Sequence, residues 1–107
     1  MKVFLTAVIC GILLLGSMAS AGSIWGYVYD DEVEVDGATV FLKELPDGEP
    51  RLTTTNIDGY YVFPNCWEGN YGMEAWKGQK NDLQWPIYHS GGAGGKQVDF
   101  HLTYDPK

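Results

Sequence analysis

Little in this chain is long, cross-linked or basic, and each shortage removes a class of answers. The longest apolar run, Val3 to Leu15, covers 13 residues, whereas a helix needs about 20 to cross a bilayer. A retained membrane span is therefore not expected. The run follows Lys2 and leads into Ala19-Ser20-Ala21, the order of charged, apolar and small residues that marks a cleaved secretory signal peptide. With 1–21 as that leader, 22–107 remains, 86 of the 107 residues, enough for one domain with a single core.

Of the two cysteines, Cys10 lies inside the apolar run, so Cys66 has no partner and no internal disulfide forms even in an oxidising compartment. Cys66 reads as a small buried hydrophobe, the alternative being a free thiol that links to another chain. No cysteine stands at the cleavage point to carry a lipid. Lysine and arginine number 7 against 14 acidic residues, a net charge of −7, and losing Lys2 takes the mature part to −8. Such a surface repels phosphate backbones, so nucleic acid is not an expected partner. Catalytic signatures are missing too. There is no G-x-S-x-G elbow and no H-E-x-x-H pair, and His89, His101 and Cys66 share no metal-ligand spacing. No enzyme is expected.

What the chain does have is alternation. Beyond the leader, apolar residues recur at period two and β-branched and aromatic residues replace leucine, which favours strands. Ile24, Gly26 and Val28 alternate with Trp25, Tyr27 and Tyr29 in a strand from Ser23 to Asp30. Ala38 to Leu45 alternates around Val40 and Leu42 and ends at the turn signal Pro46-Asp47-Gly48. Leu52 to Asn56 and Tyr60 to Phe63 flank Asp58-Gly59 as a hairpin. Gly69 to Trp76 carries Tyr71, Met73 and Ala75 on one face, and the polar stretch Lys77 to Asp82 reads as a loop. Gln84 to Tyr88 contains Pro86, which has no N–H for a ladder and belongs on an edge or outside the sheet. Gly91-Gly92-Ala93-Gly94-Gly95 is a flexible connection to a last strand, Lys96 to Thr103, with Val98, Phe100 and Leu102 on one side. Six or seven short strands without a helical crossover imply antiparallel pairing in two packed sheets.

The residues Ile24-x-Gly26-x-Val28, Gly37-Ala38-x-Val40-x-Leu42, Thr55-Asn56-Ile57-Asp58-Gly59-Tyr60-Tyr61-x-Phe63, Gly69-Asn70-Tyr71 and Asp99-Phe100-x-Leu102 span nearly the whole mature part. Their spacing resembles that of carboxypeptidase regulatory-like domains, grouped with transthyretin-like and pilin-type B modules. The resemblance implies an all-β fold, a seven-stranded antiparallel Greek-key β-sandwich of the Ig-like or prealbumin-like kind. The motif has a structural reading of its own: Gly59 suits a positive φ at a turn, Asp58 can fold its side chain onto the local backbone, and Tyr61 and Phe63 share a face. It speaks for fold, not function.

Two clusters are candidates for contact. Asp30, Asp31, Glu32, Glu34 and Asp36 concentrate hard oxygen ligands, and weak calcium binding is the most they suggest, because EF-hand spacing is absent and a solvated acidic loop is the reading that their order favours. Trp25, Trp67, Trp76 and Trp85, with 7 tyrosines, are a heavy aromatic load. Exposed rings would form a surface for a protein or a glycan; otherwise they pack the core. Trp25 and Trp76 have the parity opposite to Ile24 and Met73, and so point outward. An open sheet edge that accepts a partner strand is a third route to contact. The resemblance also brings alternatives that the residues do not support. The Tyr-Arg-Gly-Ser ending of hydroxyisourate hydrolases is replaced by Thr103-Tyr104-Asp105-Pro106-Lys107. The Lys to Asn isopeptide bond of pilin modules lacks its lysine in the first strand and its asparagine in the last. The expectation is a secreted or periplasmic, non-catalytic binding or structural module with a protein or glycan partner, or alternatively a carbohydrate-binding domain using its tryptophans.

Overall fold

The computed structural model describes residues 22–92 and 94–104. The expected signal peptide, 1–21, lies outside them, as do Ala93 and the last three residues. Among the described residues there is no helix, and so none long and apolar enough to cross a membrane.

Ten strands follow in chain order: β1 Gly22–Asp30, β2 Val33–Glu34, β3 Thr39–Glu44, β4 Arg51–Thr54, β5 Tyr60–Cys66, β6 Gly69–Lys77, β7 Lys80–His89, β8 Lys96–Gln97, β9 Phe100–His101 and β10 Thr103–Tyr104. They form two sheets. In the first, β1 is central, with β5 and then β2 along one edge and β8 and β9 along the other; the second has the order β10-β7-β6-β3-β4. The inner faces meet in one core, to which β1 gives Ile24 and Val28, β5 Tyr61 and Phe63, β3 Val40 and Leu42, and β6 Met73 and Ala75, with Phe100 from β9. Each of the larger side chains, buried in this way, is worth about 1.5–3 kcal/mol, which is how the domain holds without a disulfide. Cys66 is free and buried, as expected of a small hydrophobe.

Several local readings change. The count is ten rather than seven, because the expected last strand breaks into three and the expected acidic loop contains the short strand β2. β8 and β9 run parallel to β1, with Trp25 opposite Gln97 and Tyr29 opposite His101, whereas β10 crosses to the second sheet and pairs with β7. The break has a cause at Gly26, where an added Cβ would lie 1.9 Å from the Val98 carbonyl oxygen. The strand leans over that glycine, its Val98 carbonyl leaves the ladder, and the buried Tyr61 hydroxyl donates to it at 2.5 Å. Asp99 fills the gap in the ladder, its Oδ1 accepting the Tyr27 N–H at 3.0 Å.

The polar stretch expected as a loop after β6 is the start of β7, which pairs with β6 from Lys77↔Lys80 to Gly69↔His89. Both strands with a proline carry a bulge. Between Ile24↔Phe63 and Gly22↔Cys66 the β5 side has one extra residue, with Asn65 at φ 59, and this resets the parity so that Cys66 turns inward. In β7 the extra residue falls between Gln84 and Ile87, turning both inward. At the β4–β5 turn it is Asn56, not Asp58, whose side chain folds onto the backbone: its Oδ1 accepts the N–H groups of Asp58 at 2.9 Å and Tyr60 at 3.0 Å. Gly59 takes the expected positive φ, 76°.

Candidate binding face

Because β1 alternates, the side chains opposite its core residues all leave from the outer surface of the first sheet. Register then extends this row sideways. Val62, Trp25 and Gln97 stand abreast, as do Glu34, Tyr29 and His101, and between them Tyr60 lies opposite Tyr27, with Asp99 on the far side, hydrogen-bonded to the Tyr27 N–H. The result is a three-by-three patch with the indole and three phenol rings at its heart.

The rings touch in series. Centroids of Trp25 and Tyr27 are 6.4 Å apart, Trp25 and Tyr60 6.3 Å, Tyr27 and Tyr60 5.5 Å, Tyr27 and Tyr29 6.3 Å, and Tyr29 stacks on His101 at 5.3 Å. Such pairs are worth about 0.5–1.5 kcal/mol beyond the area they cover, so the cluster is held in place on an outer surface. Each of the four rings is half-buried by its neighbours. Carboxylates ring it: desolvation first, then the charges of Asp99 and Glu34, hold the Tyr29 phenol above its ordinary pKa. At the far margin the His101 N–H donates to Asp82 at 2.9 Å.

The four tryptophans do not converge. Trp25 belongs to this patch; Trp76 and Trp85 leave the outer face of the second sheet, and Trp67 stands half-exposed in the β5–β6 turn. No aromatic contact among the described residues joins two tryptophan rings. Trp85 is 49% exposed and lies flat on Gly72, where an added Cβ would come within 2.4 Å of the ring. Tyr27, Tyr29, Tyr60 and His101 were not singled out from sequence. The first two were legible from the same parity as Trp25, whereas the other two join only through strand register.

Asp30 to Glu34 form a tight hairpin in which Asp31 and Glu32 both take positive φ, 53° and 69°. The turn spreads the carboxylates. Lys80 holds Asp30 at 2.9 Å and is itself raised in pKa by that hydrogen bond. Among the described residues no three acidic, histidine or cysteine side chains come together to hold a metal ion.

Among the described residues the inner side offers no reactive cluster. His89 is buried between the sheets while His101 lies outside, so the core separates them. The Cys66 thiol is pushed up in pKa by burial, against the lowering effect of Arg51, and donates to the Phe63 carbonyl at 3.3 Å. The outer edge of β5 is occupied at two positions. Asn56 occupies both backbone groups of Tyr60, accepting its N–H at 3.0 Å and donating to its carbonyl at 3.1 Å; Pro64 has no N–H, and Arg51 donates to its carbonyl at 2.8 Å.

No family model matches the chain, and no curated protein matches it. Solved structures do. The group B streptococcus pilus 2b backbone protein aligns with TM-score 0.56 and 18% identity over 77% of this chain and 41% of that one. BcpA, the major pilin subunit of Bacillus cereus, gives TM-score 0.60 and 16% identity over 80% and 31%. What they share with it is the fold. The dioxygenase domain of a dioxygenase and carbohydrate-binding protein fusion from Streptomyces sp. SirexAA-E, at TM-score 0.58 and 13% identity, is matched over 84% of this chain and 86% of that one. All three are all-β, Ig-like neighbours, and this chain spans less than half the length of either pilin.

Proposed function

We propose that this is an exported, non-catalytic module of the carboxypeptidase regulatory-like kind, 22–107 after a signal peptide of 1–21, that holds a protein partner at or beyond the cell surface. One observation carries the reading: an unbroken set of touching rings, Trp25, Tyr60, Tyr27 and Tyr29, on a sheet face that no other described strand covers. Aromatic side chains supply large contact area at little entropic cost, which is why they dominate the energetic centres of interfaces. The pilin neighbours, structural subunits by their titles, fit the same picture.

A second reading has its own observation. Trp85, flat over Gly72 and half-exposed, is a stacking platform for a sugar ring on the opposite side of the molecule. The two separate in one experiment. Protein secreted by cells expressing the full chain is bound to isolated cell envelopes, intact or protease-treated. The protein-contact reading expects saturable binding that protease abolishes, that Trp25→Ala weakens about tenfold, or ~1.4 kcal/mol, and that Trp85→Ala leaves unchanged. Binding that survives protease and is lost with Trp85→Ala overturns it in favour of the glycan.

A further inference from the structure

The proposed contact face carries charge of one sign. Its nine positions hold two carboxylates, Glu34 and Asp99, and no lysine or arginine. Along β1 the rings of Trp25, Tyr27 and Tyr29 lead directly to the β1–β2 turn, where Asp31 and Glu32 stand exposed. Among the described residues the only salt bridge is Lys80 with Asp30, so the acids nearest the rings are left uncompensated. The chain as a whole has a net charge of −7.

The rings also choose between shapes of ligand. Their planes are set at 82° for Trp25 and Tyr27, 60° for Tyr27 and Tyr60, 40° for Trp25 and Tyr60 and 30° for Tyr27 and Tyr29, so the four together offer no common plane on which a run of sugars could stack. A cation needs one ring face at a time, drawn to the negative side of the π system, and so tolerates neighbouring rings set at different angles. Along β1 the ring centroids repeat at 6.4 and 6.3 Å, close to the ~6.8 Å between alternate side chains of an extended polypeptide.

We propose that the occupant of this face is an extended polypeptide segment bearing lysine or arginine at alternate positions, its cations seated among the rings of Trp25, Tyr27 and Tyr29 and facing Glu34, Asp99 and the acidic turn. This rests on the reading of the face as a protein-contact surface. Carboxylates beside aromatic rings give such a segment attraction at a distance and register on arrival, and the attraction weakens as salt screens it.

The test titrates the secreted protein with three synthetic peptides, (Lys-Thr)4, (Arg-Ser)4 and (Glu-Thr)4, and with glucosamine hexamer as a cationic glycan, by calorimetry at low and high salt. The expected result is binding of the two basic peptides alone, weakened at least tenfold by Trp25→Ala, three- to tenfold by Glu34→Lys, and several-fold by raised salt. Both variants sit on the outer surface, and circular dichroism verifies their fold. Failure of both basic peptides to bind, equal binding of (Glu-Thr)4, or tighter binding of glucosamine hexamer than of either basic peptide overturns the proposal. If envelope binding still depends on Trp25 when the basic peptides fail, the contact face stands and only its cationic occupant falls. If envelope binding is indifferent to Trp25, the contact reading itself has failed.

Discussion

The β1–β2 turn places Glu32 at φ 69° and Asp31 at φ 53°, a conformation that aspartate tolerates by folding its short side chain locally and that glutamate does not. Holding a residue with a Cβ in that region costs about 1–2 kcal/mol. Glycine removes this cost, but its freer unfolded chain takes back about 0.5–1 kcal/mol. Glu32→Gly is therefore expected to stabilise the domain by about 0.5–1 kcal/mol, which for a domain of this size raises Tm by roughly 2–8 °C. Thermal unfolding followed by far-ultraviolet circular dichroism measures it, with a urea midpoint as the second estimate. Glu32→Gln is the control, since it removes the charge and keeps the strained Cβ. An unchanged or lowered Tm for Glu32→Gly, or an equal gain for Glu32→Gln, would refute backbone strain as the cause.

Two further perturbations bear on the fold. Burial, followed by the charges of Cys66 and Glu44, pushes Tyr71 up to about 12, and burial followed by Asp99 and Cys66 raises Tyr61 further. Both folded values lie above the unfolded one, so their stabilisation is complete below pH ~10 and lost as pH climbs through the folded value. In an alkaline titration these two should stay silent in near-ultraviolet phenolate absorbance until the β-sheet signal collapses; seven phenolates formed with the sheet intact would contradict the burial argument. Gly26→Ala puts a Cβ 1.9 Å from the Val98 carbonyl oxygen, and backbone on backbone has little room to yield. The expected cost is about 3 kcal/mol or more, read as a lowered urea midpoint, and a loss under 1 kcal/mol would show that β8 does not lean on that glycine.

Alternation made the two sheets and most of the core legible, because a strand that buries one face must write its period into the sequence. Ile24 and Val28, Tyr61 and Phe63, and Met73 and Ala75 all fall inward as their spacing requires. Three things were hidden. Bulges at Asn65 and between Gln84 and Ile87 reset parity part-way along a strand, and no residue type announces such a reset. The hairpin that continues from Lys77 into β7 is polar because one of its faces meets water, so it lacks the apolar signature of a strand. The parallel seating of β8 and β9 on β1 joins segments some 70 residues apart, and no local pattern encodes a long-range partner. The same limit explains the binding face. The outward row of β1 was readable from Trp25, but Tyr60 and His101 reach it from other strands, and tryptophan counting alone drew attention to Trp67 and Trp76, which lie elsewhere.

The parallel pairing has a mechanical meaning. β1 enters at one end of the first sheet and β9 leaves at the other, side by side and pointing the same way. Once β10 has come away from β7, tension between the start of β1 and the end of β9 would thus drag these neighbours past each other lengthwise, loading the Val98–Trp25 and Leu102–Tyr29 bonds, 2.8 Å each, all together instead of peeling them one at a time. Strands paired in this way part only when the whole seam gives at once.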